Sequence, residues 1–334
     1  AKAIAVALQS GAQKAVLLGN AASQHADAAV IERLARWIAE QTGATFGWLG
    51  DGANAVGAQL VGANAKPGGL GAAQMLAADA PLKACLLLNL DPALDTANGE
   101  AALDALGRAE MVVALTPFAP EAGDDIADVL LPIAPFTETS GTFVNTEGRV
   151  QSFHGVVKPF AEARPAWKVL RVLGNLLGMS GFSFETSEEV RAEALGDEST
   201  IASRLAATAA GEGGRIALPA RGDGGLERIA DVPIYATDPI VRRAPALQLT
   251  ADARAPAIGV PSELARARGI VDGTLVRVSS GHGSVVLPAR VDPSLASNVL
   301  RVAAAHPLTT PLGAMNARLE LVVERAGAAA STIA

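Results

Sequence analysis

The sequence predicts an α/β fold with an open, mostly parallel, doubly wound sheet, followed by a small helical and linker region and a C-terminal β-barrel. Two observations support this prediction. In the first half of the chain, short continuous apolar runs alternate with helical stretches, as in parallel sheets covered by helices. After about residue 246 the apolar residues recur with a period of two, which is typical of half-buried antiparallel strands.

The apolar runs of the first half are predicted to be buried parallel strands with both sheet faces covered, because they are continuous rather than alternating. They lie at residues 15–18, 84–88, 111–115 and 129–131, with a fifth strand at 45–49. An amphipathic helix is predicted over residues 29–41. Its apolar face is expected to carry Val30, Ile31, Leu34, Trp37 and Ile38, and Gly43 is expected to end it.

Further helices are predicted, most of them after residue 160. The longest of them has Pro165 at its start, an apolar stripe that runs from Trp167 to Leu177, and Gly178 at its end. Shorter helices are predicted over residues 100–106, 187–195 and 200–209. The glycine-rich stretch 210–225 is predicted to be a flexible linker.

The last part of the chain is predicted to be a small barrel. Strands over residues 274–279 and 284–291 flank a Ser-Gly-His-Gly turn, and Ser262 is predicted to cap a short helix that ends at Gly269. The predicted domains are therefore an α/β domain at 1–182, a helical segment and linker at 183–250, and a β-barrel at 251–328.

Composition excludes several classes of protein. A net charge of −7 argues against a nucleic-acid partner, and no apolar run approaches the ~18 residues of a membrane span, so no direct membrane insertion is expected. The single cysteine, Cys85, lies in an apolar run and is expected in the core. Because four thiolates normally hold an iron–sulfur cluster, and the four histidines lack ligand spacing, no metal site and no catalytic constellation are predicted.

Residues 136–151 form the most informative segment. Gly141 and Gly148 allow tight bends, and Thr142, Asn145, Glu147 and Arg149 offer closely spaced donors and acceptors. Two interpretations remain open: the side chains line a ligand groove, or they stabilise an ordered loop. Glu147 and Arg149 are two residues apart, so an extended backbone would place them on one face, which allows them to pair.

The same segment resembles the signature of the molybdopterin oxidoreductase superfamily, Glu-x-x-Gly-Thr-x-x-Asn-x-Glu-Gly-Arg-x-Gln, from Glu138 to Gln151. Its continuation through residue 171, and residues 69–76 and 234–243, are similar to the large iron–sulfur subunits of bacterial respiratory complex I, NADH:quinone oxidoreductase. The resemblance implies a C-terminal barrel of the double-psi kind, whose usual opening is similar to residues 268–278.

In that superfamily, loops at strand ends bind molybdopterin guanine dinucleotide. Here Gly19-Asn20 keeps part of the first loop, Asp91 replaces an Asn in the second, and Thr116-Pro117 lacks the guanine-reading carboxylate of the third. The resemblance therefore implies that the cofactor is not bound. The residues it marks as vestigial cofactor contacts are Gly19, Asn20, Gly141, Thr142, Asn145, Glu147 and Arg149.

The function implied by the resemblance is that of a C-terminal part of the complex I iron–sulfur subunit, a scaffold in an enzyme that transfers electrons from NADH to quinone and translocates protons. Its iron–sulfur clusters would lie in an N-terminal region that precedes this chain. Expected partners are other subunits of the peripheral arm, on the cytoplasmic side of the bacterial inner membrane. The alternatives are a molybdopterin-dependent oxidoreductase, of the formate dehydrogenase or nitrate reductase kind, and a non-catalytic assembly module. His154, as a ligand contact, and Arg242-Arg243, as a contact for an acidic partner, are secondary candidates.

Overall fold

The computed structural model describes residues 2–25, 27–50, 52–77, 79, 82–119, 126–208 and 225–324. Most of the predicted linker therefore lies outside the described residues. The chain divides into two compact units. The first unit contains residues 1–23, 27–90 and 108–218, and the second contains residues 24–26, 91–107 and 219–334.

The described strands are β1 (Ala15–Leu18), β2 (Thr45–Trp48), β3 (Ala84–Leu88), β4 (Met111–Thr116), β5 (Val129–Pro132), β6 (Gly141–Val144), β7 (Val150–Phe153), β8 (Leu226–Ile229), β9 (Ile258–Pro261), β10 (Leu275–Ser279), β11 (Ser284–Asp292), β12 (Val299–Arg301) and β13 (Arg318–Val323). The described α-helices are α1 (Lys2–Ser10), α2 (Asn20–Ser23), α3 (Ala28–Thr42), α4 (Ala55–Leu60), α5 (Ala72–Met75), α6 (Pro92–Asp95), α7 (Gly99–Gly107), α8 (Ala166–Leu176), α9 (Ser187–Leu195), α10 (Ile201–Thr208), α11 (Pro239–Arg242), α12 (Pro245–Gln248) and α13 (Ser262–Arg268).

The first unit is built on parallel strands, which confirms the predicted α/β class. β3, β4 and β5 form one parallel sheet in that order, and β1 and β2 form a second parallel sheet. Each of the five predicted strands is present, with ends that differ by no more than one residue. β6 and β7 pair as an antiparallel hairpin.

Helix α3 packs through small residues. Ala35 and Ala39 are its buried positions, and Gly43 ends it with a left-handed φ of 67°. The predicted apolar face is wrong in part, because Trp37 is 52% exposed and Ile38 is also exposed. Alanine lets the helix axis approach its neighbours closely, so the buried stripe follows the small side chains instead of the large ones.

The prediction that both faces of the sheets are covered is confirmed at the central strand β4, where the neighbouring residues Ala114 and Leu115 are both buried, but it is wrong for the edge strand β3. β3 alternates between exposed and partly buried positions, and Leu86 and Leu88 are each 47% exposed on one face. Cys85 points to the other side and is only partly buried, so it is not the core residue that the sequence predicts. The apolar run of β3 therefore belongs to a strand that is more fully covered on one side than on the other.

The second unit contains a closed barrel of six strands in the order β10-β11-β9-β12-β8-β13. Buried positions alternate with more exposed ones along β10, β11 and β13. The described core residues with no exposure include Ile258, Val260, Val276, Val278 and Leu300. The predicted hairpin is confirmed by the antiparallel pairing of β10 with β11. β8 lies ahead of residue 251, so the barrel takes a strand from the range predicted as linker. The sequence of β8, Leu-Glu-Arg-Ile, carries two charges and shows no strand alternation.

The short barrel helix α13 begins differently from its prediction. Pro261 is the residue before the helix, and Ser262 is the first helical residue, without a side-chain capping bond. Pro261 has an extended backbone, with φ −63° and ψ 145°, and its side chain has no oxygen to cap the helix. Gly269 ends the helix with a φ of 65°, as predicted. No helix in the described ranges has the length and apolar character needed to cross a membrane.

Candidate functional site

The signature segment folds as the β6–β7 hairpin and its flanks. Residues 146 and 147 form the turn of the hairpin, and Gly148 follows with a φ of 83°, a conformation that side chains with a Cβ rarely adopt. Thr142 lies opposite Ser152 in the register, and their hydroxyl oxygens are 3.0 Å apart. The structure thus brings Gly141, Thr142 and Asn145 together on one strand and the start of its turn.

Asn145 serves the backbone of its own turn. Its Oδ1 atom accepts hydrogen bonds from the Glu147 amide at 3.0 Å and the Arg149 amide at 2.9 Å. The Asn145 amide in turn donates to the Arg149 carbonyl oxygen at 3.1 Å. One side-chain oxygen therefore satisfies two backbone donors, a local pattern that Asn favours in turns.

The predicted pairing of Glu147 with Arg149 is wrong. Both side chains are exposed, and none of the ion pairs in the described residues joins them. The prediction assumed an extended backbone, whereas Glu147 lies in a turn and Gly148 has a positive φ. The alternation of side chains that holds in a strand does not apply across such a turn.

Other parts of the first unit fasten the hairpin. Asn54 Oδ1 accepts from the Val144 amide at 2.8 Å, and Glu138 Oε2 accepts from the Phe160 amide at 2.9 Å. A Cβ on Gly141 would lie 2.4 Å from the Phe153 ring, so a side chain at this position would have to displace that ring. These contacts fit the interpretation in which the signature stabilises an ordered loop.

The loops that follow the parallel strands differ from one another. After β1, the Gly19 carbonyl oxygen accepts from the Ala22 and Ser23 amides at 3.0 and 3.2 Å, and Asn20 is exposed. After β4, Thr116 Oγ1 accepts from the Phe118 amide at 3.2 Å and donates to the Phe118 carbonyl oxygen at 3.0 Å. After β3, Asn89 has a left-handed φ of 50°.

A cluster of charged residues in the second unit begins at Asp91, two residues after Asn89. Arg242 Nη1 donates to Asp95 Oδ1 at 2.8 Å, and Arg242 Nη2 lies 3.6 Å from Asp91 Oδ2. Asp95 Oδ2 also accepts from the Asp91 amide at 2.7 Å. The side chain of Arg242 is only 10% exposed, so Arg242 is buried within the chain and is not presented to an acidic partner as expected.

Burial affects the protonation of Asp91 in this cluster. It raises the pKa of the Asp91 carboxyl above its ordinary value, and the nearby Arg242 guanidinium opposes that rise. Asp95 was not among the residues that the sequence singled out. Its spacing of four from Asp91, across a Pro-initiated turn of helix, was the signal that would have found it.

Comparison with known proteins identifies the family. Residues 1–176 match the family model for molybdopterin oxidoreductase, and residues 235–327 match the model for the molydopterin dinucleotide binding domain. The chain belongs to the molybdopterin oxidoreductase family. The first match alone covers more than half of the 334 residues.

Short segments of this molybdopterin oxidoreductase family member are similar to proteins with three different names. A 70-residue segment is 39% identical to the probable oxidoreductase YjgC of Bacillus subtilis (21% of this chain, 7% of that protein). A 52-residue segment is 46% identical to a putative formate dehydrogenase of Staphylococcus aureus (16% and 5%). A 55-residue segment is 49% identical to the mitochondrial NADH-ubiquinone oxidoreductase 78 kDa subunit of Candida albicans (16% and 8%). The matched segments thus span less than a tenth of these relatives.

A solved structure of the family supports the fold. Acetylene hydratase from Pelobacter acetylenicus superposes with a TM-score of 0.52 over 75% of this chain and 46% of that chain, at 16% identity. The similarity confirms the α/β fold with a C-terminal barrel. At this identity it carries no information about activity.

The residues at the turn after β3 fit a phosphate-bearing cofactor poorly. Phosphates in proteins are bound by backbone amides, cations and glycine-permitted close approach. Here the Asp91 amide already donates to Asp95, and the Arg242 guanidinium already pairs with the two carboxylates. In the described ranges, no group of three or more His, Cys, Asp or Glu residues is arranged to hold a metal ion.

Proposed function

We propose that this chain is the C-terminal part of the iron–sulfur subunit of NADH:quinone oxidoreductase and acts there as a scaffold. The observation on which the proposal rests is the Asp91–Asp95–Arg242 cluster. Its carboxylates lie at a turn that would bind phosphate in a pterin-binding relative. The 49% identity with a segment of the Candida albicans 78 kDa subunit supports the same assignment.

The physical argument concerns charge. Two like unit charges about 4 Å apart repel by about 4 kcal/mol at an effective dielectric constant of ~20. A dinucleotide phosphate placed beside Asp91 and Asp95 would meet this repulsion and would compete with both carboxylates for Arg242. The cation that would neutralise a phosphate is therefore already committed within the chain.

In this proposal the chain contributes packing, and electron transfer occurs elsewhere in the assembly. The whole enzyme moves electrons from NADH to quinone and couples this to proton translocation, with its clusters in an N-terminal region of the same subunit. The signature hairpin keeps its form through internal hydrogen bonds, as the Asn145 turn illustrates. Its partners would be other peripheral-arm subunits, on the cytoplasmic side of the bacterial inner membrane.

The test is purification of the tagged full-length protein from its host at low detergent. We expect it to co-purify with NADH-oxidising activity and to contain no molybdenum or pterin in stoichiometric amount. Metal would be measured by mass spectrometry, and pterin by the fluorescence of its oxidised form. Stoichiometric pterin, or purification without NADH-oxidising subunits, would contradict the proposal.

A second candidate is a molybdopterin-dependent oxidoreductase of the formate dehydrogenase kind. The match of residues 235–327 to a dinucleotide binding domain and the 46% identity with a putative formate dehydrogenase favour it. The same purification separates the two candidates, because this one requires about one molybdenum per chain and formate-dependent dye reduction. Purification with neither cofactor nor NADH-oxidising subunits would instead indicate an assembly module.

A further inference from the structure

The first unit contains a cavity of about 290 Å³ that is lined by residues of the signature hairpin and of helices α4, α8 and α9. We propose that this cavity binds a small, uncharged, mostly apolar molecule that carries a hydrogen-bond-accepting oxygen, such as a ketone. Its volume lies just below the ~300–1,000 Å³ that is typical of small-molecule sites. The inference is independent of the scaffold role proposed above, since no residue of the Asp91–Asp95–Arg242 cluster lines the cavity.

The walls of the cavity are mostly apolar. Val144 and Leu195 are 2% and 5% exposed, Gly57 is buried, and Trp167 is partly buried. An apolar molecule is favoured against such walls, because its binding removes apolar surface from water on both sides of the contact. A phosphate group would lose its hydration there, which argues against a dinucleotide as the occupant.

The cavity offers no unpaired charge to an occupant. Arg191 is the one charged side chain among its described lining residues, and its guanidinium forms an ion pair with Glu198. Nε and Nη2 of Arg191 both donate to Glu198 Oε1, and Nη1 donates to the Ser152 hydroxyl oxygen at 3.0 Å. An uncharged occupant is therefore favoured, because a charged one would lose hydration without gaining an opposite charge.

Asn54 supplies a hydrogen-bond donor that is fixed in place at the cavity wall. Its Oδ1 atom accepts from the Val144 amide at 2.8 Å, which holds the side-chain amide in one orientation. Its Nδ2 atom has no hydrogen-bond partner among the described residues and is not fully buried. A Cβ on Gly57 would lie 2.0 Å from Oδ1 and 3.1 Å from Nδ2, so glycine leaves room for this amide. An acceptor oxygen on the ligand would therefore meet a donor that is already oriented.

The experiment compares four probes of similar size on the full-length protein. Acetophenone is uncharged and carries an acceptor oxygen, ethylbenzene lacks the oxygen, and benzoate and benzylammonium carry a negative and a positive charge. Saturation-transfer difference NMR measures binding as the probe concentration is raised. We expect saturable binding of acetophenone with a Kd of about 1 mM or lower, and Kd values about five- to tenfold higher for the other three probes. Equal binding of all four probes, or no saturable binding of acetophenone, would overturn the proposal.

Two matched substitutions in helix α9 locate the bound probe. Ala194→Leu enlarges a side chain that lines the cavity and should weaken acetophenone binding about tenfold, because the added atoms occupy the space of the probe. Ala192→Leu makes the same change at an exposed position of the same helix that does not line the cavity, and it should leave the Kd unchanged. Equal Kd values for the two variants would show that acetophenone binds elsewhere and would overturn the proposal.

A further pair of variants tests the hydrogen bond to the ligand. Asn54→Asp keeps an oxygen for the Val144 amide but removes the Nδ2 donor, so it should abolish the preference for acetophenone over ethylbenzene. Asn175→Asp makes the same change in charge at an exposed position of α8 and should keep the preference. Thermal unfolding shows whether each variant folds, and the probe series and the Ala194 variant decide the proposal if Asn54→Asp does not. A folded Asn54→Asp protein that retains the preference would refute the proposed ligand contact.

Discussion

Arg228 Nη1 donates to the Gly313 carbonyl oxygen at 2.9 Å inside the second unit. The same guanidinium also donates to the carbonyl oxygens of Val302, Ala303 and Ala314 at 2.8 to 3.3 Å. Arg228 is only 5% exposed, and burial lowers its pKa to about 10. A cation therefore joins strand β8 to two loops of the barrel through backbone oxygens, without a carboxylate partner among its described bonds.

Loss of this guanidinium should destabilise the barrel. We expect Arg228→Met to lower the free energy of unfolding by about 3 kcal/mol, because several buried carbonyl oxygens lose their donor. Chemical denaturation followed by circular dichroism measures the change. Arg290→Met is the control, since Arg290 is exposed in β11, and we expect a change within about 0.5 kcal/mol there. A similar effect from both substitutions would contradict this account.

The two carboxylates beside Arg242 should differ in how much each contributes to the free energy of unfolding. Asp95→Asn removes the negative charge that pairs with Arg242 and leaves one oxygen where two now accept hydrogen bonds, from Arg242 and from the Asp91 amide. It should cost about 2 kcal/mol, because the guanidinium is 10% exposed. Asp91→Asn should cost clearly less, since its ion pair is 3.6 Å long and burial already disfavours its charge. Denaturant titration of both variants tests the order, and a larger loss for Asp91→Asn would show it to be wrong.

Stability should depend on pH through His306. Burial lowers the pKa of its imidazole below the ordinary 6.5, and Nδ1 accepts from the Leu308 amide at 3.1 Å, which requires a neutral ring. The unfolded state then binds more protons, so this contribution is complete above pH 6.5 and is lost as pH falls through the folded-state pKa. Melting temperatures of the wild type and His306→Gln, measured from pH 7.5 down to about pH 5, should differ in slope. Parallel curves would contradict the assignment.

Gly141 should not tolerate a methyl group. Gly141→Ala places a Cβ 2.4 Å from the Phe153 ring, and we expect a loss of about 1 to 3 kcal/mol from overpacking. Adding Phe153→Leu should recover part of this loss. Gly19→Ala is the matched control, because nothing lies within 4 Å of its Cβ position and its φ is not positive. Thermal unfolding of all three variants distinguishes a steric requirement at Gly141 from a general effect of losing glycine.

Asn145 should stabilise its turn through its side-chain oxygen atom, Oδ1. Asn145→Ala leaves the Glu147 and Arg149 amides without their acceptor and should cost about 1 to 2 kcal/mol. Asn145→Asp keeps the oxygen and should retain most of the stability. Hydrogen exchange of these two amides reports on the turn itself. Unchanged protection in Asn145→Ala would show that the turn does not depend on this side chain.

Much of the secondary structure was predictable because it depends on local patterns. The runs at 15–18 and 84–88 and the helix ends at Gly43 and Gly269 are encoded by apolar continuity and by glycine at a left-handed position. The predictions fail where contacts between residues that are distant in sequence determine the structure. β8 has no strand pattern, and its Arg228 is stabilised by carbonyl groups more than 70 residues away.

The candidate site shows the same division. The spacing of the signature residues identified the β6–β7 segment and its family, but it did not show that Asn145 binds backbone amides or that Gly148 has a positive φ between Glu147 and Arg149. A left-handed glycine between two side chains changes their relative direction, and residue spacing alone does not contain that information.

The sequence by itself determined the α/β class, the barrel hairpin and the family, because these follow from periodicity and from a contiguous motif. Only the tertiary structure decided that Arg242 is buried against Asp91 and Asp95, about 150 residues earlier in the chain. Charge pairing depends on distances of a few ångströms between side chains, and those distances are set when distant segments pack together.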